Sequence, residues 1–322
     1  MPYRNPVYPH DFADPFVLKC GEEYWGYCTG FQSDGGVFGI IHSTDLVHWN
    51  YRGSAMAPLA GDFPCYWAPE VTRENDGSFH LYYSVGNEET MHIRAAHALQ
   101  PQGPFEDCGV ELTHEAFAID PHVFLDDDGS RYLFYATDFL SHTHIGTGTV
   151  VDRMMNPLRL EGKSAPVTRA KYEWQVYDPK RQSKGGVKWH TVEGPFVLKH
   201  NGIYYQMFSG GNWQNETYGV SYATSEKIMP GHEWAQHADG TQIRPILRTI
   251  PGKVLGPGHN SVVVGPDDRE LFCVYHLWRD GKRMMAIDRM EFIGNDLIVH
   301  GPTTEEEPSP ARKDQSKKVQ KL

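Results

Sequence analysis

One strand–turn–strand pattern occurs five times in this chain, and this repetition constrains the fold more than any other feature. Each copy has an apolar run, a turn rich in Gly, Asp or Asn, and a second run rich in aromatic residues, which is typical of a β-hairpin. The copies are FADPFVLKCGEEYWGYCTG from Phe12, APEVTRENDGSFHLYYSVG from Ala68, IDPHVFLDDDGSRYLFYATD from Ile119, EGPFVLKHNGIYYQMFSGG from Glu193 and GHNSVVVGPDDRELFCVYHLW from Gly258.

The spacing of these copies predicts an all-β chain folded as a five-bladed β-propeller. Counted from Asp14, Glu70, Asp120, Glu193 and Asn260, the copies follow one another in steps of 56, 50, 73 and 67 residues. Steps of this size, with almost no helical periodicity, suit propeller blades, whereas a Greek-key sandwich does not restart five times. We expect the propeller to occupy residues 1–301 and the polar residues 302–322 to form a disordered tail.

Composition excludes several classes of partner. The chain has 30 Lys and Arg against 41 Asp and Glu, a formal net charge of −11, which argues against a nucleic-acid or anionic-membrane surface. The first fifteen residues contain no apolar core of a secretory signal, and five cysteines make an odd number without metal-ligand spacing. We therefore expect a cytoplasmic protein with reduced thiols.

The carboxylates at the heads of the copies are the first candidate functional residues. In a propeller the first strand of each blade lines a central channel, so these heads converge. Asp14-Pro15 aligns with Asp120-Pro121, but Glu70 lies two positions after this register and Glu193 one position before it. Hydrolysis of a glycosidic bond needs an acid and a base or nucleophile, and a third carboxylate can raise the pKa of the acid. Spacing alone does not choose between Glu70 and Glu193.

The motifs ADPFV, YWAPEV, IDPHVF, EGPFV and GPGHNSV, in this order, resemble glycoside hydrolase family 43. This resemblance implies a five-bladed propeller that hydrolyses xylosides and arabinosides with inversion. It implies that Asp14 is the general base, Asp120 raises the pKa of the acid and orients it, and Glu193 is the general acid. Glu70 would then be structural, and Trp67 would be a platform for the sugar ring.

The resemblance also suggests a metal and further binding residues. His259 in GPGHN matches a channel histidine that faces calcium or its water shell in many family members, so calcium or another divalent cation is expected there. Calcium prefers oxygen ligands, and a histidine beside glycine is usually a turn residue with its hydrogen bonds satisfied. The residues alone therefore do not decide whether His259 faces a cation or only completes a turn. His276 is a second channel candidate, and Phe31 and Arg289 are expected by position to line the sugar pocket.

Among family members the chain looks most like a single-domain β-xylosidase that releases D-xylose from β-1,4-xylo-oligosaccharides, with α-L-arabinofuranosidase side activity. The alternatives are an α-L-arabinofuranosidase, an endo-arabinanase or a sugar-binding propeller without turnover. Larger members close the pocket with an added β-sandwich; here loops or a second subunit would have to do so, which makes a homo-oligomer one expectation. The basic insertion RAKYEWQVYDPKRQSKGGVKWH is either a rim over the channel or a solvated loop.

Overall fold

The computed structural model describes residues 2–141, 143–237 and 244–313, and in these residues the strands form five β-sheets of consecutive strands. The first sheet contains β1 (Phe16–Cys20), β2 (Glu23–Tyr27), β3 (Val37–Ser43) and β4 (Asn50–Met56). The second contains β5 (Cys65–Arg73), β6 (Phe79–Gly86), β7 (Met91–Ala98) and β8 (Glu106–Glu111). The all-β prediction is confirmed.

The third sheet is the largest. It contains β9 (Ala118–Leu125), β10 (Arg131–Phe139), β11 (Gly146–Asn156), β12 (Arg159–Leu160), β13 (Ala165–Thr168), β14 (Val176–Arg181) and β15 (Val187–His190). The only helices in the described ranges, Glu173–Gln175 and Gln182–Lys184, are 3-10 turns of this insertion. No described helix is long and apolar enough to cross a membrane.

The last two sheets complete the chain. The fourth contains β16 (Val192–His200), β17 (Ile203–Gly210), β18 (Gly219–Ser225), β19 (Ala235–Gln236) and β20 (Leu247–Arg248). The fifth contains β21 (Leu255–Val264), β22 (Leu271–Arg279), β23 (Lys282–Ile293) and β24 (Asp296–Val299). In every sheet the first two strands are the hairpin that the sequence repeats.

Apolar clusters fill the spaces between neighbouring sheets. Going round from the first sheet, the clusters contain Trp25 with Tyr83, Tyr82 with Leu133, Phe134 with Tyr204, Tyr205 with Tyr275, and Phe272 with Tyr24. The last of these clusters joins the fifth sheet to the first, so the sheets form a closed circle, which is the arrangement of a β-propeller.

This circle explains why the second strand of each hairpin is so rich in aromatic residues. Successive residues of a strand point to opposite faces. Tyr82 packs towards the third sheet and Tyr83 towards the first, and Tyr204 and Tyr205 divide in the same way between the third and fifth sheets. Both faces of the strand are buried, so both need large apolar side chains.

The two terminal segments meet on the fifth sheet. Asn5 donates a hydrogen bond to the Ile287 carbonyl at 2.8 Å, and the Thr303 hydroxyl donates to the Asp288 carboxylate at 2.5 Å. Glu307 forms a β-bridge with Tyr3. The prediction of a disordered tail is therefore wrong for residues 302–313, because they complete the hydrogen bonds of a buried aspartate and of the N-terminal segment. Residues 314–322 lie outside the described part of the chain.

Candidate active site

In each sheet a residue in the left-handed region of φ lies in the first strand or just before it and lines the same central cavity. These residues are Asp14 (52°), Ala68 (46°), Asp120 (59°), Gly194 (57°) and His259 (50°). All except His259 precede proline, which disfavours the right-handed helical region for the residue before it. All except Asp14 coincide with a shift in the pairing register of the first two strands of their sheet. This unusual backbone turns the five positions towards one small central cavity.

The central cavity, called here the axial cavity, has a volume of about 20 Å³, room for about one water molecule. It is lined by the five left-handed residues and by the residues that follow them. This placement shows that Ala68, and not Glu70, is the counterpart of Asp14 in the second sheet.

A larger cavity of about 380 Å³, the main cavity, shares Asp14, Asp120 and His259 with the axial cavity. Its wall combines carboxylates, aromatic rings and two guanidinium groups: Asp14, Asp120, Glu193, Trp67, Phe117, Tyr177, Trp213, Arg181 and Arg283. The structure thus brings together four residues that the sequence predicted for one site, from the heads of four different sheets.

Asp14 is held as a carboxylate. Arg283 donates to its Oδ1 at 3.1 Å and the Thr29 hydroxyl donates to its Oδ2 at 2.5 Å, while its own N–H donates to Nδ1 of His276 at 3.2 Å. Burial raises the pKa of Asp14, but the Arg283 charge and the nearby His259 and His276 outweigh burial and hold that pKa well below its usual range. Asp14 is therefore ionised at neutral pH and can accept a proton.

Glu193 is held differently, although it lines the same cavity. Its Oε1 accepts a hydrogen bond from the Tyr218 hydroxyl at 2.8 Å. Burial is the largest effect on Glu193, and with the Asp14 charge it raises the pKa of Glu193 to about 7 against the lowering effect of Tyr218 and of two arginines. Glu193 can therefore carry a proton near neutral pH, as a general acid requires.

Asp120 lies beside Glu193. Its Oδ2 accepts the Gly194 N–H at 2.9 Å, and its own N–H donates to the Ser84 hydroxyl at 2.9 Å. Burial, then the charges of Glu193 and Asp14, raise the pKa of Asp120 well above its usual value. Because two buried neighbouring carboxylates repel each other when both are ionised, the charge of one favours the protonated form of the other.

Glu70 belongs to the framework of the channel. Its carboxylate accepts a hydrogen bond from Nδ1 of His122 at 2.8 Å and from the Val123 N–H at 2.7 Å. The His122 Nε2 accepts the Val197 N–H at 2.9 Å, which leaves the ring proton on Nδ1. Glu70 therefore connects the second, third and fourth sheets, and it does not line the main cavity.

Two predicted pocket residues lie elsewhere. The Phe31 ring is 53% exposed, packs edge-on against Tyr66 and is not part of the main cavity wall. Arg289 donates to Glu270 and to the carbonyls of Pro308 and Ser309. The prediction for Arg289 is wrong because the cavity end of β23 is at Arg283, six residues earlier, which is about 20 Å along a strand.

Sequence reasoning missed Arg283, Tyr218, Trp213 and Arg181. Arg283 follows a turn in WRDGKRMM and resembles an ordinary surface cation, and Trp213 and Tyr218 lie in a loop that the repeats do not share. Of these residues, only Arg181 lies in a segment that the sequence indicated, since the basic insertion was predicted to be either a rim over the channel or a solvated loop. The structure supports that reading, because Tyr177 and Arg181 of this insertion line the main cavity.

The residues around His259 do not fit a directly coordinated calcium ion. The His259 Nδ1 lies 3.5 Å from Asp14 Oδ1, and the positive charge of Arg283 is already beside that oxygen. In the described ranges no three His, Cys, Asp or Glu side chains converge to hold a metal. Calcium takes six to eight oxygen ligands, and the axial cavity has room for about one water.

Chemically, the main cavity offers an ionised carboxylate and a carboxyl group that is protonated near neutral pH. Aromatic walls suit the apolar C–H faces of a sugar ring, and the charged groups suit its hydroxyls. Such a pair can protonate a leaving oxygen while activating a water molecule.

Comparison with known proteins agrees with this chemistry. The family model described as glycosyl hydrolases family 43 matches residues 3–297. Beta-D-galactofuranosidase xynD from Aspergillus niger is 31% identical over 313 residues, which cover 89% of this chain and 82% of that protein. A solved structure of a thermostable family-43 glycoside hydrolase is 32% identical, with a TM-score of 0.82, over 97% of this chain and 100% of that one.

A further relative is named for two sugars. Xylosidase/arabinosidase 43B from Humicola insolens is 25% identical over 283 residues, which cover 83% of this chain and 47% of that protein. This chain therefore spans about half the length of that relative.

Proposed function

The chain belongs to glycosyl hydrolases family 43, and we propose that it is an inverting enzyme that releases D-xylose from the non-reducing ends of β-1,4-xylo-oligosaccharides, with α-L-arabinofuranosidase side activity. The observation that carries this proposal is the pairing of ionised Asp14 with protonatable Glu193 in one cavity. We further interpret the five sheets as five blades.

In the proposed reaction Glu193 donates its proton to the glycosidic oxygen as the bond from that oxygen to the anomeric carbon breaks. Asp14 accepts a proton from a water molecule, whose oxygen forms a bond to the opposite face of the same carbon. Asp120 keeps the proton on Glu193 through its negative charge when it is ionised. Loss of the proton from Asp14 to solvent and uptake of one by Glu193 restore the enzyme.

The insertion of the third sheet supports a short pocket and hence exo action. The Arg181 guanidinium lies 5.2 Å from the Tyr177 ring and 4.7 Å from the Trp189 ring, and Lys184 pairs with Asp138 at 3.2 Å. This packed wall comes from the same chain, so we propose that no second subunit is needed to close the pocket. The homo-oligomer stays a prediction, which light scattering can check.

A furanosidase is the second candidate, favoured by the names of the relatives. The Aspergillus niger relative is named for β-D-galactofuranosides, and the Humicola insolens relative for xylosides and arabinosides. An exo-acting enzyme for terminal α-L-arabinofuranosyl or β-D-galactofuranosyl groups would use the same acid and base.

Hydrolysis of 4-nitrophenyl β-D-xyloside, α-L-arabinofuranoside and β-D-galactofuranoside, together with xylobiose and linear arabinan, tests these candidates. We expect the highest kcat/KM on the xyloside and xylose from xylobiose. A higher kcat/KM on either furanoside would overturn the xylosidase proposal in favour of the furanosidase. A rapid fall in arabinan viscosity with little monosaccharide would indicate an endo-arabinanase.

Stereochemistry tests the roles of the acids. Proton NMR of the first product from a β-xyloside should show α-xylose, because activated water attacks the face opposite the leaving group. If β-xylose formed first, Asp14 would be a nucleophile and the inverting mechanism would be rejected.

The cation and the cellular location stay predictions. Activity after exhaustive chelation and after calcium addition, together with elemental analysis, tests the cation expected near His259. For location, the five cysteines are all free thiols in the structure, which is consistent with the cytoplasm. Fractionation of the source cells would test it.

A further inference from the structure

The backbone N–H groups of the five left-handed residues take part in a ring of hydrogen bonds around the axial cavity, called here the axial ring. Each N–H donates to a side chain of the sheet before it in the circle. The pairs are Ala68 with Oγ1 of Thr29 at 2.9 Å, Asp120 with Oγ of Ser84 at 2.9 Å, Gly194 with Oδ2 of Asp120 at 2.9 Å, His259 with Oγ of Ser209 at 2.7 Å, and Asp14 with Nδ1 of His276 at 3.2 Å. The last pair connects the fifth sheet to the first, so the ring is closed.

Most bonds of the axial ring have a purely structural role. Ser84, Ser209 and His276 are completely buried. A buried N–H group that loses its acceptor costs about 1–3 kcal/mol of stability. The axial ring therefore holds the heads of neighbouring sheets together.

The Thr29 hydroxyl makes a second contact, with the proposed general base. Its oxygen accepts the Ala68 N–H, and it also lies 2.5 Å from Oδ2 of Asp14. A threonine hydroxyl has a single proton to donate, and an ionised carboxylate can only accept. The Thr29 proton therefore points at Asp14, and the Ala68 N–H holds the hydroxyl oxygen in the position that makes this possible.

Thr29 completes the support of the Asp14 carboxylate. Arg283 lies 3.1 Å from Oδ1, and the Nδ1 atoms of His276 and His259 lie 3.4 Å and 3.5 Å from the same oxygen. All three groups come from the fifth sheet, whereas Thr29 follows β2 of the first sheet and contacts the other oxygen. Contacts at both oxygens fix the rotation of the carboxylate about its Cβ–Cγ bond.

The orientation of this carboxylate matters for the proposed reaction. A general base must present a lone pair to the proton that it removes, within hydrogen-bond reach of the water molecule. A misplacement of about 1 Å in a reacting group can cost up to about a hundredfold in rate. A side chain that fixes one oxygen of the base can therefore control the rate without contact with the sugar.

We propose that Thr29 is a positioning residue for the general base: it connects the closure of the axial ring between the first and second sheets to the orientation of Asp14. This inference rests on the proposed function, in which Asp14 activates a water molecule. The acceptor side of the Thr29 hydroxyl is structural, and the donor side acts on the reaction through Asp14.

The test separates kcat from KM in variants of the intact protein. Thr29→Val keeps the shape of the side chain without its hydroxyl, and we expect kcat on xylobiose and on a dinitrophenyl xyloside to fall by about thirtyfold. KM should stay unchanged, because the hydroxyl proton is already used by Asp14 and not by the substrate. Thr29→Ser keeps the hydroxyl and should retain kcat within about threefold.

The matched control is Ser209→Ala, which also removes a hydroxyl acceptor from the axial ring, but one that serves His259. Its melting temperature should fall about as much as that of Thr29→Val, whereas its kcat should fall much less. If Thr29→Val does not fold, Thr29→Cys replaces it with the same expectation, because a thiol is a weak donor.

Three results would overturn the inference. An unchanged kcat in the variant without the hydroxyl would show that Asp14 does not need this contact. A rise in KM would show that the hydroxyl binds the sugar instead, and an equal loss of kcat in Ser209→Ala would leave the axial ring with a structural role alone. If the wild type cleaves furanosides and not xylosides, the proposed substrate is wrong, and the same comparison on the furanoside decides the role of Thr29 separately.

Discussion

At the scale of single residues, Glu193 and Asp14 act on the same bond but respond differently to the leaving group. A good leaving group departs without a proton, so Glu193→Ala should lower kcat on xylobiose by about a thousandfold or more but retain much of the bond cleavage on a dinitrophenyl xyloside. Asp14→Ala should lose both activities, because no leaving group replaces an activated water. Steady-state rates on the two substrates provide the measurement.

Glu70→Gln is the matched control, since Glu70 binds His122 and lies outside the main cavity. It should lower both rates by a similar factor, together with the melting temperature. If Glu70→Gln showed the dependence on leaving group and Glu193→Ala did not, the assignment of the acid would be reversed.

The alkaline limb of the pH profile should report the proton on Glu193. Because burial raises the pKa of Glu193 to about 7, kcat/KM should fall above that pH as the acid loses its proton. Tyr218→Phe removes a hydrogen bond that favours the ionised form, so this limb should move to higher pH. Asp120→Asn removes a negative charge that disfavours the ionised form, so the limb should move to lower pH. Shifts in the same direction would contradict the roles given to these residues.

Asp14 and Asp120 were accessible from the sequence because a carboxylate next to proline at a repeated strand head is a local pattern, whereas only the family resemblance chose Glu193 over Glu70. Arg283 was not accessible, although it determines the charge state of Asp14. Its contact with Asp14 spans most of the chain, and nothing within its own turn distinguishes it from Arg279 or Lys282.

At the scale of elements, the hairpins could be predicted but their register could not be read from the acids alone. Counting from Glu70, Glu193 and Asn260 was in error by two, one and one residues, because the equivalent positions hold Ala68, Gly194 and His259. The proline that follows four of the five left-handed residues is the better marker. It acts on the backbone, whereas side-chain identity at this position varies with the task of each sheet.

The terminal segment was mispredicted for a similar reason. Its composition is that of a disordered chain, but order in residues 302–313 comes from a partner 15 residues away, the buried Asp288. Composition measures how little apolar surface a segment can bury, and it does not detect a segment that completes a polar network.

Thr303→Val tests this network. It removes the donor to Asp288 and the acceptor for the Asn5 amide at 2.9 Å, which leaves buried polar atoms without partners. We expect the free energy of unfolding to fall by about 1–3 kcal/mol in denaturant titration. Thr303→Ser keeps the hydroxyl and should lose much less. Equal values for Thr303→Val and the wild type would show that the segment contributes nothing to stability.

At the scale of the whole molecule, the site is assembled from separate parts of the chain. Asp14 precedes the first sheet, Asp120 begins the third, Glu193 begins the fourth and Arg283 lies in the fifth. Each sheet is made of consecutive strands and can form from local contacts, but the site exists only when the circle is complete. The sequence identifies the hairpins and their acids, whereas closure of the circle of sheets depends on packing between the first and fifth sheets.

Because the site is complete only after the first and fifth sheets pack together, the rate at which enzymatic activity recovers measures the last step of folding. Hairpins form from neighbouring residues, whereas Arg283 must find Asp14 across most of the chain, and contacts of such long range form slowly. After dilution from denaturant, the far-ultraviolet circular dichroism of strands should therefore recover before hydrolysis of a nitrophenyl glycoside does. Recovery of both signals with one rate constant would mean that the circle closes as its sheets form. A lag would mean that each newly made chain passes through a stage with nearly all of its strands and none of its catalysis.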